Sequence, residues 1–240
     1  MRPSILHEDD RIVAVDKPSG LLTLPDRYDA SLPSLKGILT ERFGTILTVH
    51  RIDRDTSGLV LFARHTEAQR HLSSLFEERS MEKTYLGIVT GSPSTDKGTI
   101  DKPIAEHPHI KGRMAVARKG KAAITHYDVL ERLGRHALMR FRIETGRTHQ
   151  IRVHLQDAGH PILCDALYGS AEPLRLSSIK RGYKPPRGEA TERPLMDRLA
   201  LHAYEISFTD IDGTTRHFQA PLHRDMEACL KQLRKWTTAR

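Results

Sequence analysis

The sequence predicts an α+β fold in which a mixed, mostly antiparallel sheet is flanked by a few helices. Short segments whose apolar residues alternate with polar ones recur along the chain, which is the pattern of half-exposed strands. Apolar residues at helical spacing mark only three segments, and strands and helices do not alternate regularly as they do in a parallel α/β protein. The 240 residues suffice for one domain with a sizeable core. We therefore predict that residues 1–240 form a single domain with two lobes sharing one sheet.

The predicted strands are apolar or β-branched segments bounded by turn signals. Residues 58–63 are almost entirely apolar and predict a buried strand. Met139, Phe141 and Ile143 alternate with charged residues, which predicts a strand with one exposed face. In chain order, the predicted strands span residues 11–16, 58–63, 83–89, 125–130, 139–144 and 204–208.

Three helices are predicted from capping residues and apolar spacing. Thr66 is the expected N-cap of the first, with Gln69 completing a capping box. Thr148 is the expected N-cap of the second, which runs to about residue 158 with Gly159 in the C′ position. Pro221 is expected to open the third.

The charge balance indicates a polyanionic partner. The chain holds 38 lysines and arginines against 30 acidic residues, a net charge of +8. Because the sequence shows neither a basic amphipathic helix with a bulky apolar face nor a lipidation motif, nucleic acid is favoured over a membrane. Residues 111–121 carry five basic residues and no acidic one, and residues 171–198 form a second basic loop. Residues 111–121 are predicted to contact a phosphate backbone because no acidic residue neutralises them, and residues 171–198 are a second candidate for such contact. The alternative for both is a solvated loop.

Several classes of protein are disfavoured. Cys164 and Cys229 do not make a secreted disulfide framework, the N-terminal residues lack the apolar core of a signal peptide, and no apolar run is long enough to span a bilayer. We therefore expect a cytoplasmic protein. His149 and His154 are five residues apart and do not form the zinc-binding pair of a helix, so no metal site is predicted. No phosphate-binding loop or dinucleotide-binding fingerprint is present, so no cofactor is expected.

The densest polar cluster is HRIDRDTSG at residues 50–58. An aspartate beside an arginine stays ionised, and an ionised, partly desolvated carboxylate can attack a sugar carbon. The same residues also fit a turn with a solvated ion pair. Chemistry alone does not choose between Asp53 and Asp55.

A second cluster, residues 145–154, combines a turn with the start of the predicted second helix, where free backbone N–H groups attract an anion. His149 and Arg152 share one face of that helix, while Ile151 and Leu155 share another. One face is expected to pack and the other to present donors. The alternative is an amphipathic surface helix.

Six short motifs occur in one order along the chain. They are DKPSGLL (16–22), HRIDRDTSGL (50–59), KTYL (83–86), GRTHQIRVH (146–154), GHPILCD (159–165) and LHA (201–203). Together they resemble the RluA-type pseudouridine synthases over most of the chain, roughly residues 5–222. The resemblance implies a pseudouridine-synthase-like catalytic fold with a central cleft, and an isomerase that converts uridine to pseudouridine in RNA without a cofactor.

The resemblance also implies roles for individual residues. Asp53 matches the catalytic aspartate, Tyr85 the active-site tyrosine that packs on the base, and Arg152 the arginine that pairs with the catalytic carboxylate. Arg51 matches an arginine that helps fill the stack vacated by the flipped nucleotide, and Asp55 becomes a supporting residue. The other residues predicted to bind RNA or substrate are His50, Thr56, Arg147, His149, Lys119 and Lys121.

The implied chemistry begins with flipping the uridine out of its helix. Asp53 then attacks either C1′ of the ribose or C6 of the uracil, and the sequence leaves both open. The C1′–N1 bond breaks, the ring turns while held, C5 joins C1′, and the C5 proton leaves. Tyr85 is a candidate for that proton transfer.

The resemblance begins at Ile5, so no extra N-terminal RNA-binding domain is expected. This points to the compact members of the family, which act on stem-loops of tRNA or large-subunit rRNA, and we expect a monomer. Two alternatives remain at this stage. One is a non-catalytic RNA-binding or folding protein on the same scaffold, and the other is a metal-dependent phosphoesterase that uses the aspartates and histidines.

Overall fold

The structure is a computed structural model that describes residues 2–184 and 192–237. It confirms the predicted α+β class, with a large, mostly antiparallel sheet and few helices. The chain divides into two compact units, each described here by itself. The first unit comprises Met1–Tyr85, Arg142–Glu144 and His202–Pro221, and the second comprises Leu86–Phe141, Thr145–Leu201 and Leu222–Arg240.

Strands and helices are numbered separately in chain order. The strands are β1 (Ser4–Glu8), β2 (Ile12–Lys17), β3 (Leu47–Thr48), β4 (Ser57–Ala63), β5 (Glu82–Thr90), β6 (Lys97–Asp101), β7 (Ile104–Glu106), β8 (Met114–Val116), β9 (Ile124–Leu133), β10 (His136–Ile143), β11 (Leu201–Thr209) and β12 (Thr215–Gln219). The helices are α1 (Leu35–Phe43), α2 (Thr66–Glu77), α3 (Gln150–Asp157), α4 (Leu176–Ile179) and α5 (Arg224–Thr237). Three strands, β5, β10 and β11, contribute residues to each unit.

The first unit is built around β4, a strand with no exposed residue. Its strands neighbour one another in the order β1-β2-β4-β11, with β3 paired to β4 and β12 paired to β11. Successive side chains of a strand point to opposite faces, so Leu59 and Leu61 enter one apolar cluster, which includes residues of α2. Val60 and Phe62 enter another, which includes residues of α1. A continuous apolar run is what two covered faces require.

One strand pair of the first unit is parallel. His202 of β11 lies opposite Ser57 of β4, and Ala203 lies opposite Gly58. Gly58 has a φ of 105°, and a Cβ there would overlap the carbonyl oxygen of Ala203. Only glycine fits both the backbone conformation and the close approach of β11, which accounts for the glycine of the HRIDRDTSG motif.

In the second unit, β9 lies between β6 and β10, and β7 pairs with β8 as a separate two-stranded sheet. Ile104, Val153 and Tyr168 form part of a small apolar cluster beside this sheet. The helix α5 buries Met226, Cys229, Leu230 and Leu233.

The six predicted strands are confirmed as β2, β4, β5, β9, β10 and β11. The prediction missed β1, β3, β6, β7, β8 and β12, which have two to five residues each. Strands this short show too little alternation to be recognised. Two helices, α1 and α4, were also missed, although Ser34 caps α1 by accepting a hydrogen bond from the N–H of Gly37.

The predicted starts of two helices are wrong by one to three residues. The N-cap of α2 is His65, whose ring nitrogen accepts from the N–H of Ala68 (3.3 Å). No capping box forms there, since Gln69 donates instead to the carbonyl of Thr48 (2.9 Å). The helix α5 begins at Arg224 and not at Pro221.

The two basic loops are more ordered than predicted. Residues 111–121 contain β8, which pairs with β7. Residues 171–198 contain α4, and residues 185–191 of this stretch lie outside the described part of the chain. The predictions of two lobes sharing one sheet, a central cleft and a monomer stay predictions. No helix in the described residues combines the length and the apolar character needed to cross a bilayer.

Candidate active site

Asp53 lies in the loop between β3 and β4, and the backbone on both sides of it is fixed. Before it, the carbonyl of Ile52 accepts a hydrogen bond from the hydroxyl of Thr23 (2.8 Å), and the Ile52 side chain is buried. After it, the carbonyl of Arg54 accepts from Nζ of Lys17 (2.9 Å). Because both neighbours are held, the half-buried Asp53 side chain leaves the loop in a defined direction.

Lys17 is fully buried and joins two segments of the first unit. Besides Arg54, its Nζ donates to the carbonyls of Pro18 (3.0 Å) and Leu21 (2.7 Å). Three carbonyl acceptors match the three donors of an ammonium group. Gly20 and Arg54 add two further bonds, from Gly20 N to Arg54 O (2.9 Å) and from Arg54 Nε to Gly20 O (3.0 Å). The turn after β2 is thereby bonded to the loop that carries Asp53.

Tyr85 is close enough to Asp53 for the two to interact electrostatically. Burial, and then the negative charge of Asp53, raises the pKa of the Tyr85 hydroxyl well above its usual value of 10.0. The ring packs against the apolar cluster that holds Val60 and Phe62. At neutral pH this side chain is therefore a phenol that can stack and donate, and its phenolate is disfavoured.

His50 and Thr56 contact the interior of the first unit. Nε2 of His50 accepts a hydrogen bond from the N–H of Leu61 (2.9 Å), and its ring stacks on Phe76 with centroids 4.7 Å apart. Burial, and then the charge of Lys83, lowers the pKa of His50 to about 3, so the ring is neutral at pH 7. Thr56 is only 2% exposed. The assignment of these two side chains to RNA or substrate binding stays a prediction.

Arg51 and Asp55 lie on the outer side of the same loop, and both are exposed. The hydroxyl of Ser19 donates to the backbone carbonyl of Asp55 (2.6 Å). The Arg51 side chain is therefore open to solvent, its contact with RNA stays a prediction, and Asp55 is held through its backbone.

In the second unit, Arg152 of α3 forms a buried, bidentate ion pair. Its Nε lies 2.8 Å from Oδ2 of Asp165 and its Nη2 lies 2.9 Å from Oδ1. Asp165 is fully buried, and its Oδ1 also accepts from the N–H groups of Leu167 (3.0 Å) and Tyr168 (3.1 Å). A carboxylate with this many donors fixes the guanidinium plane of Arg152.

Tyr168 connects this ion pair to the β8 strand. The guanidinium groups of Arg152 and Arg113 lie 5.0 and 5.3 Å from the centre of its ring. Its hydroxyl accepts from the N–H of Met114 (2.8 Å) and is hydrogen bonded to Nδ1 of His149 (2.8 Å). One buried tyrosine thus holds α3 and β8 in a fixed relation.

The start and the exposure of α3 differ from the prediction. Its N-cap is His149 and not Thr148, and His149 has a φ of 56°, in the left-handed region, with no side-chain capping bond. Every residue from 150 to 155 is buried, so neither a surface helix nor a face with free donors is present. The helix was expected to end near Gly159, and the structure confirms this, with a φ of 80° at that glycine.

Arg147 sits in a turn that Gln150 closes. Oε1 of the buried Gln150 accepts from the hydroxyl of Thr145 (2.7 Å) and from the N–H of Arg147 (3.1 Å), and its Nε2 donates to the carbonyl of Ile124 (2.9 Å). Nε of Arg147 donates to the carbonyl of Ala122 (3.0 Å). This leaves the terminal nitrogens of its guanidinium group for other acceptors.

Lys119 and Lys121 are exposed side chains on a fixed backbone. Lys121 and Ile104 exchange two backbone hydrogen bonds, of 2.8 and 2.9 Å. A Cβ at Gly120 would come within 2.5 Å of the Ile104 backbone, so β7 passes close to the backbone of Gly120. Both ammonium groups therefore extend from an ordered segment.

Three residues of these two sites were not singled out from the sequence: Lys17, Asp165 and Tyr168. The first two belong to the DKPSGLL and GHPILCD motifs. A charged residue among apolar neighbours in these motifs was the signal that could have identified them. Within residues 2–184 and 192–237, no group of three or more metal-ligating side chains is found that could hold a metal ion.

Comparisons with known proteins show which family the chain resembles. Residues 11–157 match the family described as RNA pseudouridylate synthase. The chain is 38% identical to ribosomal large subunit pseudouridine synthase D of Nitrosomonas europaea over 96% of its own length and 65% of that protein. It is 36% identical to the protein of the same name from Neisseria meningitidis, over 98% of its own length and 62% of the relative.

A solved structure, human RNA pseudouridylate synthase domain containing 4, shares 26% identity with a TM-score of 0.72, over 96% of this chain and 92% of that one. The chain thus spans a little under two thirds of the two bacterial relatives, 65% and 62% of their lengths, and nearly all of the human domain. The family match covers more than half of the chain, including Asp53, Tyr85 and Arg152. The chain belongs to the RNA pseudouridylate synthase family.

Proposed function

We propose that this protein converts uridine to pseudouridine within RNA of the large ribosomal subunit, with Asp53 as the nucleophile. The observation that carries the proposal is the Asp53 carboxylate itself, which projects from a loop held on both sides and lies near a protonated phenol. The two bacterial relatives are named for the same reaction on large-subunit RNA.

The reaction needs one nucleophile and no redox step. Asp53 attacks C1′ of the ribose or C6 of the uracil, and the C1′–N1 bond breaks. The freed ring turns, a C5–C1′ bond forms, and the bond between Asp53 and the attacked carbon breaks to restore the carboxylate. C5 loses its proton and N1 gains one, so that product and substrate are isomers. A carboxylate fixed in position needs little reorganisation to reach the reacting carbon.

Tyr85 serves in this proposal as a neutral phenol that packs on the base. Its raised pKa disfavours the phenolate, so the resting enzyme does not supply a phenolate base from this residue. The pairing of Arg152 with the catalytic carboxylate stays a prediction. Its ion pair with Asp165 supports a positioned, permanently charged guanidinium.

RNA binding is assigned to Arg51, Arg147, His149, Lys119 and Lys121. Arg51 and the two lysines are exposed cations suited to phosphate. We assign His50 and Thr56 a different role from the one their motif suggested: they shape the Asp53 loop from within, because one is neutral and hydrogen bonded to the backbone and the other is buried.

The test compares two neighbouring aspartates. Asp53→Asn should reduce pseudouridine formation on large-subunit RNA more than about 1000-fold and leave RNA binding largely intact, because the amide is nearly isosteric and not nucleophilic. Asp55→Asn removes the same charge two residues away, from an exposed side chain, and should keep activity within about tenfold.

An active Asp53→Asn variant would contradict the assignment of the nucleophile. Wild-type protein that binds this RNA but forms no pseudouridine on it would favour the non-catalytic binding protein. We further propose that the protein works as a monomer in the cytoplasm, which light scattering and cell fractionation test directly.

A further inference from the structure

A cavity of about 680 Å³ lies within the second unit. Its lining includes residues 177–181 of the basic loop 171–198 and none of the side chains individually assigned to catalysis or RNA binding above. We call it the α4–α5 groove. It is lined by Gly134, Arg135, His136, Ser177, Ser178, Ile179, Lys180, Arg181, Lys235, Trp236 and Thr237. These residues come from the β9–β10 turn, from α4 and the two residues after it, and from the end of α5.

The groove is cationic. Four of its lining side chains are lysine or arginine, at positions 135, 180, 181 and 235, and no aspartate or glutamate is among the described residues that line it. His136 adds no charge, because burial lowers its pKa. Glu131, on the neighbouring strand, is bound to Arg234 by two contacts of 2.6 and 2.7 Å. The groove therefore presents positive charge to an anionic occupant.

Trp236, the only tryptophan of the chain, holds two of these cations in place. Nζ of Lys180 lies 4.5 Å from the ring centre and Nζ of Lys235 lies 5.0 Å from it. The indole N–H donates to Oε1 of Gln232 (3.1 Å), which fixes the ring. Lysine side chains on a surface lose rotamer freedom when they bind a ligand. Here part of that freedom is already lost through the ring contacts.

An RNA backbone fits these features better than other occupants. Four cations around one groove, two of them held by the Trp236 ring, match the repeated charge of phosphodiesters. Ile179 and Trp236 supply apolar wall against which riboses or bases can lie. We propose that the α4–α5 groove is a second RNA-binding surface, which contacts phosphates of the substrate outside the nucleotide that reacts. This inference rests on the proposed function, since it takes the same RNA as the ligand.

The experiment measures RNA affinity against salt concentration. Arg181→Gln with Lys235→Gln should weaken binding of a large-subunit RNA fragment and reduce the log–log salt slope by about 2, one for each lost phosphate contact. Both residues are exposed, so the variant is expected to fold. The matched control, Lys97→Gln with Arg224→Gln, removes one lysine and one arginine from exposed positions of the same unit that do not line the groove, and should leave the slope unchanged.

All slopes are measured in an Asp53→Asn background, so they do not depend on catalysis. A wild-type protein without synthase activity would overturn the proposed function while the slopes still report on the groove. Equal slopes for the two double variants and the parent would overturn the inference. Polyglutamate that binds the parent and not the groove variant, together with an unchanged RNA slope, would also overturn it and assign the groove to an acidic protein segment.

Discussion

At the scale of single residues, the side chain that carries the chemistry and the side chains that hold it come from different segments of the first unit. Asp53 is the first of five polar residues in a row, and what distinguishes it is the fixation of its neighbours by Thr23 and Lys17. The two anchors act through backbone carbonyls, so no side-chain pattern in the loop itself reveals them. The reactivity of Asp53 depends on these anchors as much as on its own carboxylate.

Lys17→Met tests the buried anchor. Methionine has a similar length but donates nothing, so the carbonyls of Pro18, Leu21 and Arg54 lose a shared donor. We expect the free energy of unfolding to fall by about 3 kcal/mol in urea titrations, with a lower kcat in the folded fraction. Lys231→Met, at an exposed position of α5, should change stability by less than about 0.5 kcal/mol. Stability of the Lys17 variant equal to that of the control would refute the anchoring role.

His50 predicts a pH dependence of stability. Its folded-state pKa of about 3 lies below the 6.5 of an ordinary histidine, so between pH 6.5 and 3 the unfolded chain binds a proton that the folded chain does not. Stability contributed by neutral His50 is therefore lost as the pH falls through this window. Replacing it by glutamine, which does not titrate, should reduce the loss of unfolding free energy between pH 7.5 and 5.0 by about 1–2 kcal/mol.

Chemical denaturation at the two pH values gives this number directly. His109→Gln controls for the loss of an imidazole from an exposed position. If the His50 and His109 variants lose the same stability on acidification, the buried ring of His50 is not a source of the pH dependence.

At the scale of elements, β4 and β11 form a parallel pair among the described strands. Gly58 allows this pairing because it has no Cβ to overlap the backbone of β11. Gly58→Ala places a Cβ against the carbonyl of Ala203 and also forces a φ that L-residues avoid. We expect a loss of more than about 3 kcal/mol. Gly213→Ala has a φ of 79° but open space around it, and should lose only about 1 kcal/mol. Thermal melts of both variants separate the steric clash from the backbone strain, and equal losses would exclude the clash.

The two exposed lysines that follow β8, Lys119 and Lys121, give a second prediction at this scale. Lys119→Gln with Lys121→Gln removes two exposed charges from a backbone that Ile104 holds. If both contact phosphates, RNA affinity should fall and its salt slope should drop by about 2. Circular dichroism should remain that of the wild type, because the backbone bonds are untouched. An unchanged salt slope would show that Lys119 and Lys121 are solvated and do not contact phosphates.

At the scale of the whole molecule, the sequence predicted most of what depends on periodicity and less of what depends on distant contacts. The longer strands were found because six or more residues show a pattern, while strands of two to five residues, such as β3 and β7, are too short to show one. Both histidine N-caps were missed, because His65 and His149 are not ordinary capping residues. The helix face that carries Arg152 was expected to present donors. Its ion pair with Asp165 was missed because Asp165 lies 13 residues further along the chain and outside any helical spacing.

The candidate site shows the same division. Residue chemistry located the cluster around Asp53 but could not separate it from Asp55, and the family resemblance made that choice. Lys17 reads as an exposed lysine in a turn, since lysines are rarely fully buried. Its burial follows from three carbonyls that converge only when residues 18, 21 and 54 are brought together by folding.

The parallel pairing also bears on how the protein is made. His202 lies opposite Ser57, and 202 − 57 = 145 residues separate them along the chain. At a synthesis rate of about 5–20 residues per second, β4 leaves the ribosome about 7–30 seconds before β11. During that interval the most apolar strand of the first unit has one edge on which only Phe62 and Ala63 are paired, with the two residues of β3. An edge of this kind is a surface that chaperones cover and that aggregates when synthesis stalls.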